Sequence, residues 1–357
     1  MKQIRLETQN HTTTISQVDY QTIKKTIDNN RNFIITEAKI TAIYPDLFHT
    51  IADNVADNII VLPSGFNNKN FTHFRHVINK LVLYGFNRDN CLIGIGGGNV
   101  TDLVGFVASV FMRGVELVLI PTTIVAMTDA AIGGKNAINF KNRKNAIGTI
   151  YLPKEVLIYN NFYRTLKPKQ MNESLVEIIK IGLIKNKNLL DNALNLLHKA
   201  GKTKQIDNYI GENTLAIDDI IWQSIKTKTD IVEKDLYSES TRKLLNFGHS
   251  IGHLIELKQS ISHSKAVMIG MIYETFITYK LGYTDITIHN EIKNIAKQYY
   301  SINTNKYPIQ TEIRNLYTDK KVHNDAIDLV LIKQIGNAEL IKIRVKDIID
   351  MVTTADF

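Results

Sequence analysis

The hydrophobic pattern of this chain changes character part-way along its length, and that change limits the architectures open to it. Up to about residue 165, short apolar runs at 32–36, 58–62, 92–96 and 117–120 alternate with longer amphipathic stretches. Runs of that length, bounded by turn residues and separated by helical patterns, read as buried strands of a mainly parallel sheet. From about Lys167 onward apolar residues recur instead at three- and four-residue intervals, through 174–184, 214–228 and 266–281. One exception lies at 328–345, where two apolar runs flank Gly336-Asn337, a hairpin signal. The expected plan is α/β plus α: an N-terminal α/β domain over 1–166, then a mainly helical domain over 167–357 with a short C-terminal β-hairpin.

A chain of 357 residues exceeds one typical core, which favours two domains. No apolar run reaches the eighteen residues or so that a membrane helix needs. The polar start, Met1 to Tyr20, lacks a secretory pattern, so a soluble, cytoplasmic protein is expected. The single cysteine, Cys91, opens an apolar run and reads as a small buried hydrophobe. A net charge of +8 admits nucleic acid as a partner, yet the lysines are scattered without an aromatic-interleaved stripe. That pattern argues against nucleic acid and suits an anionic small molecule.

Three of the ten histidines fall close together, in Asn246-Phe247-Gly248-His249-Ser250-Ile251-Gly252-His253 and at His263. His249 and His253, at i and i+4, would share a helix face and could converge on one ion. A catalytic metal needs a further ligand and an open position. Glu177 and Lys180, at i and i+3 in an apolar helical stretch, are buried charges needing partners: either a structural ion pair, or a metal carboxylate beside an anion contact.

A second constellation begins at Gly94-Ile95-Gly96-Gly97-Gly98-Asn99, after a strand and before an apolar helical stretch. Glycines there let backbone approach a pyrophosphate at a helix N-terminus. Asn99 stands where the dinucleotide fingerprint has its third glycine, and Glu37, at the end of an earlier strand, could accept ribose hydroxyls. Pro121-Thr122-Thr123 follows another strand at the edge where α/β sheets place ligands. Asp129, Gly133-Gly134-Lys135 and Lys144-Asn145 come next, and the plain alternative for these is a polar loop with turn glycines. Lys228 and Arg242 precede the histidines and could bind a carboxylate. Asp319-Lys320-Lys321, taken alone, is a solvated charge run.

In order and spacing these motifs closely resemble the 3-dehydroquinate synthase family of sugar phosphate cyclases, from the glycine turn to Lys321. The resemblance implies an N-terminal Rossmann-like domain that binds NAD, a C-terminal helical domain carrying Zn2+ or Co2+, a substrate cleft between them and a homodimer. It implies a lyase of the shikimate pathway that converts 3-deoxy-D-arabino-heptulosonate 7-phosphate to 3-dehydroquinate and phosphate. The route is transient oxidation, phosphate elimination, reduction and aldol closure. By the same resemblance the metal ligands are Glu177, His249 and His263, with His253 left for proton transfer and phosphate contact. The NAD contacts are Glu37, Lys69, Gly97, Gly98, Asn99, Asp102, Thr122, Thr123, Lys144, Phe162 and Thr165. Substrate and catalytic residues are Asp129, Lys135, Asn145, Lys180, Lys228, Arg242, Asn246, His253 and Lys321, with Arg113 reaching across the dimer. Arg242 and Lys228 match the pair that holds the substrate carboxylate.

Four positions depart from the family pattern. Ser238 replaces a carboxylate with an acid/base role, and Lys265 puts a cation where a glutamate would orient His263. Phe66 and Lys39 stand where the family has a glutamate and an asparagine at the nucleotide. The alternatives are a cyclase of the same family with another sugar phosphate, a catalytically impaired homologue with a binding role, and a metal-dependent polyol dehydrogenase, which would yield net NADH.

Overall fold

The computed structural model describes residues 2–29, 31–48, 58–65, 69–141, 143–202, 213–259, 261–318 and 321–354. Phe66 and Lys320 lie outside these residues. The chain forms two compact units, one of residues 1–167 with 228–236, the other of 168–227 with 237–357.

The first unit is built on a seven-stranded sheet in the order β1-β2-β9-β6-β5-β3-β4. β6 (Glu116–Pro121), β5 (Cys91–Gly96), β3 (Asn32–Glu37) and β4 (Ile59–Leu62) follow one another in parallel, with β4 at the edge of the sheet. Every residue of β5 is buried, as a strand covered on both faces requires. Among its helices are α1 (Tyr20–Ile27), α2 (Ala38–Ile43), α3 (Phe71–Leu83) and α4 (Gly98–Val110). Asp19 caps α1 by accepting from the Thr22 N–H, and Asn70 caps α3 by accepting from His73.

Three strand groups escaped the sequence reading. β1 (Gln3–Glu7) and β2 (Thr12–Gln17) form an antiparallel hairpin at the sheet edge, joined in parallel to β9 (Glu155–Ile158). β7 (Lys135–Phe140) and β8 (Arg143–Ile150) form a separate antiparallel pair that packs on α4. β1, β2, β7 and β8 are polar and partly exposed, so they lack the continuous apolar run that betrays a central strand; β9 is mostly buried but offers an apolar run only from Val156 to Ile158.

The second unit is mostly helical: α5 (Pro168–Lys185), α6 (Lys187–Lys202), α7 (Thr214–Lys234, assigned here up to Thr227), α8 (His249–Gln259), α9 (His263–Lys280), α10 (Ile286–Tyr300) and α11 (Val345–Thr354). The expected hairpin is present as β10 (Ala326–Gln334) and β11 (Asn337–Arg344), with Gly336 in the left-handed region at φ +85°. Along α9 almost every side chain from Ser264 to Thr278 is buried. Each fully buried aliphatic or aromatic residue there contributes roughly 1.5–3 kcal/mol of transfer free energy, so α9 is a rigid support for whatever its first residue carries. That residue is His263.

Candidate metal centre and nucleotide-binding turn

In the second unit, three elements bring Glu177 of α5, His249 of α8 and His263 of α9 together, with one possible ligand atom from each within 4.8 Å of the others. His249 and His263 each begin a helix. The turn before α8 is set by Gly248, at φ +76°, where an added Cβ would lie 2.4 Å from the Val267 carbonyl oxygen and 2.6 Å from the Met271 side chain. Glycine therefore lets the start of α8 press against α9, which puts the two imidazoles within 5.4 Å centroid to centroid.

The hydrogen bonds fix how the rings are used. His249 Nδ1 lies 3.1 Å from the Phe247 carbonyl oxygen, which can only accept, so Nδ1 carries the proton and Nε2 a lone pair. His263 Nδ1 faces Glu256 Oε2 at 3.3 Å, with the same consequence when that carboxylate is ionised. Both Nε2 atoms then point at Glu177 Oε1, each 3.6 Å away, too far for a hydrogen bond.

Glu177 is 1% exposed, its Oε2 accepts from Lys180 Nζ, and its Oε1 has no hydrogen-bond partner among the described residues. Burial opposes ionisation of Glu177, but Lys180 and the two imidazoles outweigh it and hold its carboxyl well below the ordinary range. Burial, with Lys180, pushes His249 well below the usual imidazole value. Burial also pulls His263 down, yet the carboxylates of Glu177 and Glu256 beside it lift it to about 9. A buried anion and two ring nitrogens converging on one point need a cation between them, either a proton or a metal ion. A carboxylate oxygen and two imidazoles form a donor set suited to zinc. The residues fit the metal.

His253 belongs to a different grouping, with Glu256 and His263. The i, i+4 pair of the sequence is thus split, with His249 facing Glu177 and His253 one helical turn on. Burial, with His249 and Lys321 nearby, pushes the His253 imidazole well down. Lys321 Nζ donates to Ser250 Oγ at 3.0 Å. Arg242 is buried at 1% exposure in a 3-10 segment, Thr241–Asn246, that also carries the half-buried Asn246.

Two residues absent from the sequence reading matter here. Glu256 partners His263. Glu274, buried on α9, is pushed up to about 7 by burial against the opposing pull of Lys321 and backbone N–H groups at Gly248, Val330 and Ser250. Glu256 lies seven residues beyond His249 on the same helix, two turns on, a spacing that could have revealed it. Glu274 sits in an unbroken apolar pattern that gives no such signal.

At the departures, Lys265 directs its ammonium over the Tyr307 ring, 4.7 Å from the centroid, where a cation–π contact holds it. Ser238 adopts a left-handed backbone at φ +64°; Asp235, before it, is buried and Glu239, after it, is exposed.

In the first unit, Gly97 is the N-cap of α4 and has no side-chain cap; Gly98 and Asn99 form the helix's first turn. An added Cβ on Gly97 would meet Thr123 Cγ2 at 3.3 Å, so this turn and the Pro121-Thr122-Thr123 segment lie side by side. Thr123 Oγ1 accepts from the Ala126 N–H, whereas Thr122 Oγ1 is buried with no hydrogen-bond partner among the described residues. An uncapped helix start beside an orphaned buried hydroxyl fits a phosphate-bearing nucleotide.

Lys69 Nζ donates to both Asp102 and Asn145, joining three of the expected residues; Asn145 holds φ +50° inside β8. Burial pushes the Asp102 carboxyl up, against the pull of Lys69. Asp129 lies in a π-helical turn, Ala126–Ala130, and pairs with Lys228. Lys135 is exposed at the start of β7, and Lys144 lies half-buried in β8. Glu37, at the end of β3, faces the Gly65 N–H at 3.5 Å, and the Lys39 N–H donates to Ser64 Oγ. Phe162 is fully buried between Tyr44 and Tyr159, and Thr165 Oγ1 lies 3.1 Å from the Tyr44 hydroxyl. Arg113 is exposed at φ +67°. Cys91 is buried, which raises its thiol to about 12 and leaves it unreactive as a nucleophile.

Residues 59–173 match the family model of the 3-dehydroquinate synthase N-terminal region, and residues 174–322 that of the C-terminal region. The chain is 33% identical to the 3-dehydroquinate synthase of Dictyoglomus thermophilum, over 100% of this chain and 99% of that protein. Among solved structures it is similar to a 2-deoxy-scyllo-inosose synthase complexed with carbaglucose-6-phosphate, NAD+ and Co2+, at TM-score 0.78 and 20% identity over 99% of both chains. It is also similar to a 2-epi-5-epi-valiolone synthase from Streptomyces hygroscopicus subsp. jinggangensis with NAD+ and Zn2+ bound, at TM-score 0.78 and 22% identity over 96% of both chains. Among the described residues, no helix is long and apolar enough to cross a membrane.

Proposed function

Because the chain belongs to the 3-dehydroquinate synthase family and is an enzyme of the sugar phosphate cyclase type, we propose that it converts 3-deoxy-D-arabino-heptulosonate 7-phosphate to 3-dehydroquinate and phosphate. In this reading it is a carbon–oxygen lyase that uses NAD and zinc, with cobalt an alternative, and works as a homodimer. The observation that carries the metal half is Glu177 Oε1, a buried carboxylate oxygen with no hydrogen-bond partner among the described residues, faced by two imidazole nitrogens at 3.6 Å.

Glu177, His249 and His263 would hold the metal and leave a position open for substrate hydroxyls. Gly97, Gly98 and Thr122 would hold the NAD pyrophosphate region, and the Lys69–Asp102–Asn145 cluster would brace the turn from beside it. When bound, NAD supplies hydride removal and return and the metal supplies Lewis acidity at the hydroxyls. The chain's own residues supply charge, orientation and proton handling. His253, kept neutral by burial with Lys321 nearby, would take up a proton only in passing and hand it on. Lys180 is neutralised by Glu177, so it stabilises that carboxylate and faces substrate with only part of its charge. Lys228 and Arg242 would answer the substrate carboxylate, and Lys228 would exchange part of its contact with Asp129 for it. Lys135 and Lys321 would answer the phosphate.

The test is to incubate purified protein with NAD, zinc and the heptulosonate phosphate, following phosphate, dehydroquinate and NADH together. Phosphate and dehydroquinate in equal amounts, with no net NADH, is the expected result. Turnover of glucose 6-phosphate or sedoheptulose 7-phosphate in its place would make the chain another cyclase. Net NADH would indicate a polyol dehydrogenase, and a folded, zinc-loaded protein inert towards all three would be a binding homologue.

A further inference from the structure

The His263 ring has two nitrogens, and the structure gives each a different carboxylate. Nε2 faces Glu177 Oε1 at 3.6 Å, and Nδ1 faces Glu256 Oε2 at 3.3 Å. Glu256 is 7% exposed, on the same helix as His249 and two turns further along. Position 265, two residues after His263, holds a lysine whose ammonium lies over the Tyr307 ring, where it can neither accept from His263 nor add its full charge to the cluster.

We propose that Glu256 is the positioning residue for His263: its carboxylate accepts from Nδ1–H, fixes that tautomer, and keeps the Nε2 lone pair aimed at the point shared with Glu177 and His249. The proposal rests on the metal reading given under Proposed function. The physical reason is that an imidazole free to rotate about χ2, or to carry its proton on Nε2, presents the wrong atom to an ion for part of the time. A carboxylate on the far nitrogen removes both freedoms and makes the ring a better donor. His249 obtains the same constraint from a backbone carbonyl, that of Phe247, at 3.1 Å. Each histidine of the trio therefore has its outer nitrogen engaged, one by the main chain and the other by a side chain.

The arrangement also decides between two uses of one cluster. His253, Glu256 and His263 could themselves surround an ion. An ion held there through His263 Nδ1, the nitrogen that faces Glu256, would need that atom as a lone pair, whereas the orienting bond needs it as a donor. The two uses exclude each other. The neutral-donor use is favoured because His249 and His263 already direct Nε2 to Glu177, and an imidazole bridging two cations would have to give up both of its protons.

The experiment measures zinc affinity of metal-stripped full-length protein by competition with a chromophoric chelator, and zinc stoichiometry by titration, without any assay of turnover. Wild type is expected to bind one zinc per chain. Glu256→Ala is expected to weaken binding by roughly 10–100-fold. Glu256→Gln, whose amide oxygen still accepts from Nδ1–H, is expected to recover most of that loss, which a merely structural defect at this position would not do. Long-range 1H–15N spectra should show His263 as the Nδ1–H tautomer in zinc-loaded wild type and Gln variant.

Unchanged affinity in the folded Ala variant would overturn the proposal, as would equal losses in Ala and Gln. Two zinc ions in wild type, with one lost in both variants, would make Glu256 a ligand. Should wild type and Glu177→Gln bind no zinc alike, the metal reading fails first, and the orienting role falls with it.

Discussion

Gly248 shows how much of the metal centre depends on a residue with no functional group. At φ +76°, a side chain there would be strained, and its Cβ would also sit 2.4 Å from a main-chain oxygen of α9. Gly248→Ala should cost about 3 kcal/mol of stability, combining the left-handed backbone with overpacking. Because the displaced turn carries His249, zinc affinity should fall with it; urea unfolding and chelator competition on the same samples would read both. Lys265 makes the opposite case. By its position in the sequence it places a cation beside the metal, but its ammonium rests on Tyr307. Lys265→Gln should therefore leave zinc affinity within about threefold of wild type, whereas a marked gain would mean that the charge does reach the ion. The histidines, Glu177 and the glycine between them are all visible as residue types in the sequence. Which ring nitrogen each histidine offers is not, because that depends on a carbonyl of the preceding turn and a carboxylate two turns away.

Among elements, α9 shows what could be read and where reading stopped. Its apolar spacing gave a helix over 266–281, yet the helix begins at His263, the residue that matters, because the first turn of a helix carries polar residues whose spacing is uninformative. The parallel strands β3 to β6 were legible as unbroken apolar runs. β7 and β8 were not, since a polar pair that packs on α4 at one face reads as loop, and Lys135, Lys144 and Asn145, expected from the resemblance to serve the site, lie in it.

The contact of α9 with α10 also contains a titrating group. His289 is 5% exposed, with Nδ1 at 3.3 Å from Thr275 Oγ1, and burial, with Lys293 nearby, lowers it to about 4. The unfolded chain takes up this proton near pH 6.5, while the folded chain resists until about 4. Stability is thus fully present above 6.5 and is lost as pH falls through this window, by on the order of 2 kcal/mol once solvent screening is allowed for. His289→Gln should be the less stable protein at pH 7.5 and lose less on acidification, so that the two unfolding curves draw together by pH 4.5. Parallel pH dependence would show that His289 titrates alike in both states.

At the scale of the whole molecule, the net charge of +8 is the property most open to misreading. A basic protein of this size invites a polyanion, but several of its cations are already engaged internally: Lys69 with Asp102, Lys180 with Glu177 and Lys228 with Asp129, all nearly buried. Under the proposed function, each of these lysines would exchange part of its carboxylate contact for a phosphate or carboxylate of the ligand. The surplus charge outside these pairs would act at long range, raising the encounter rate with a substrate carrying both a phosphate and a carboxylate. These two contributions respond differently to salt, because screening weakens interactions across solvent far more than contacts within a buried pair. Raising sodium chloride from 50 to 500 mM should therefore lower kcat/KM for the heptulosonate phosphate by roughly three- to tenfold, while kcat changes little. A fall in kcat of the same size as that in kcat/KM would place the salt-sensitive charges in the chemical step instead. Insensitivity of both would mean that the basic balance reflects composition alone and takes no part in capturing substrate.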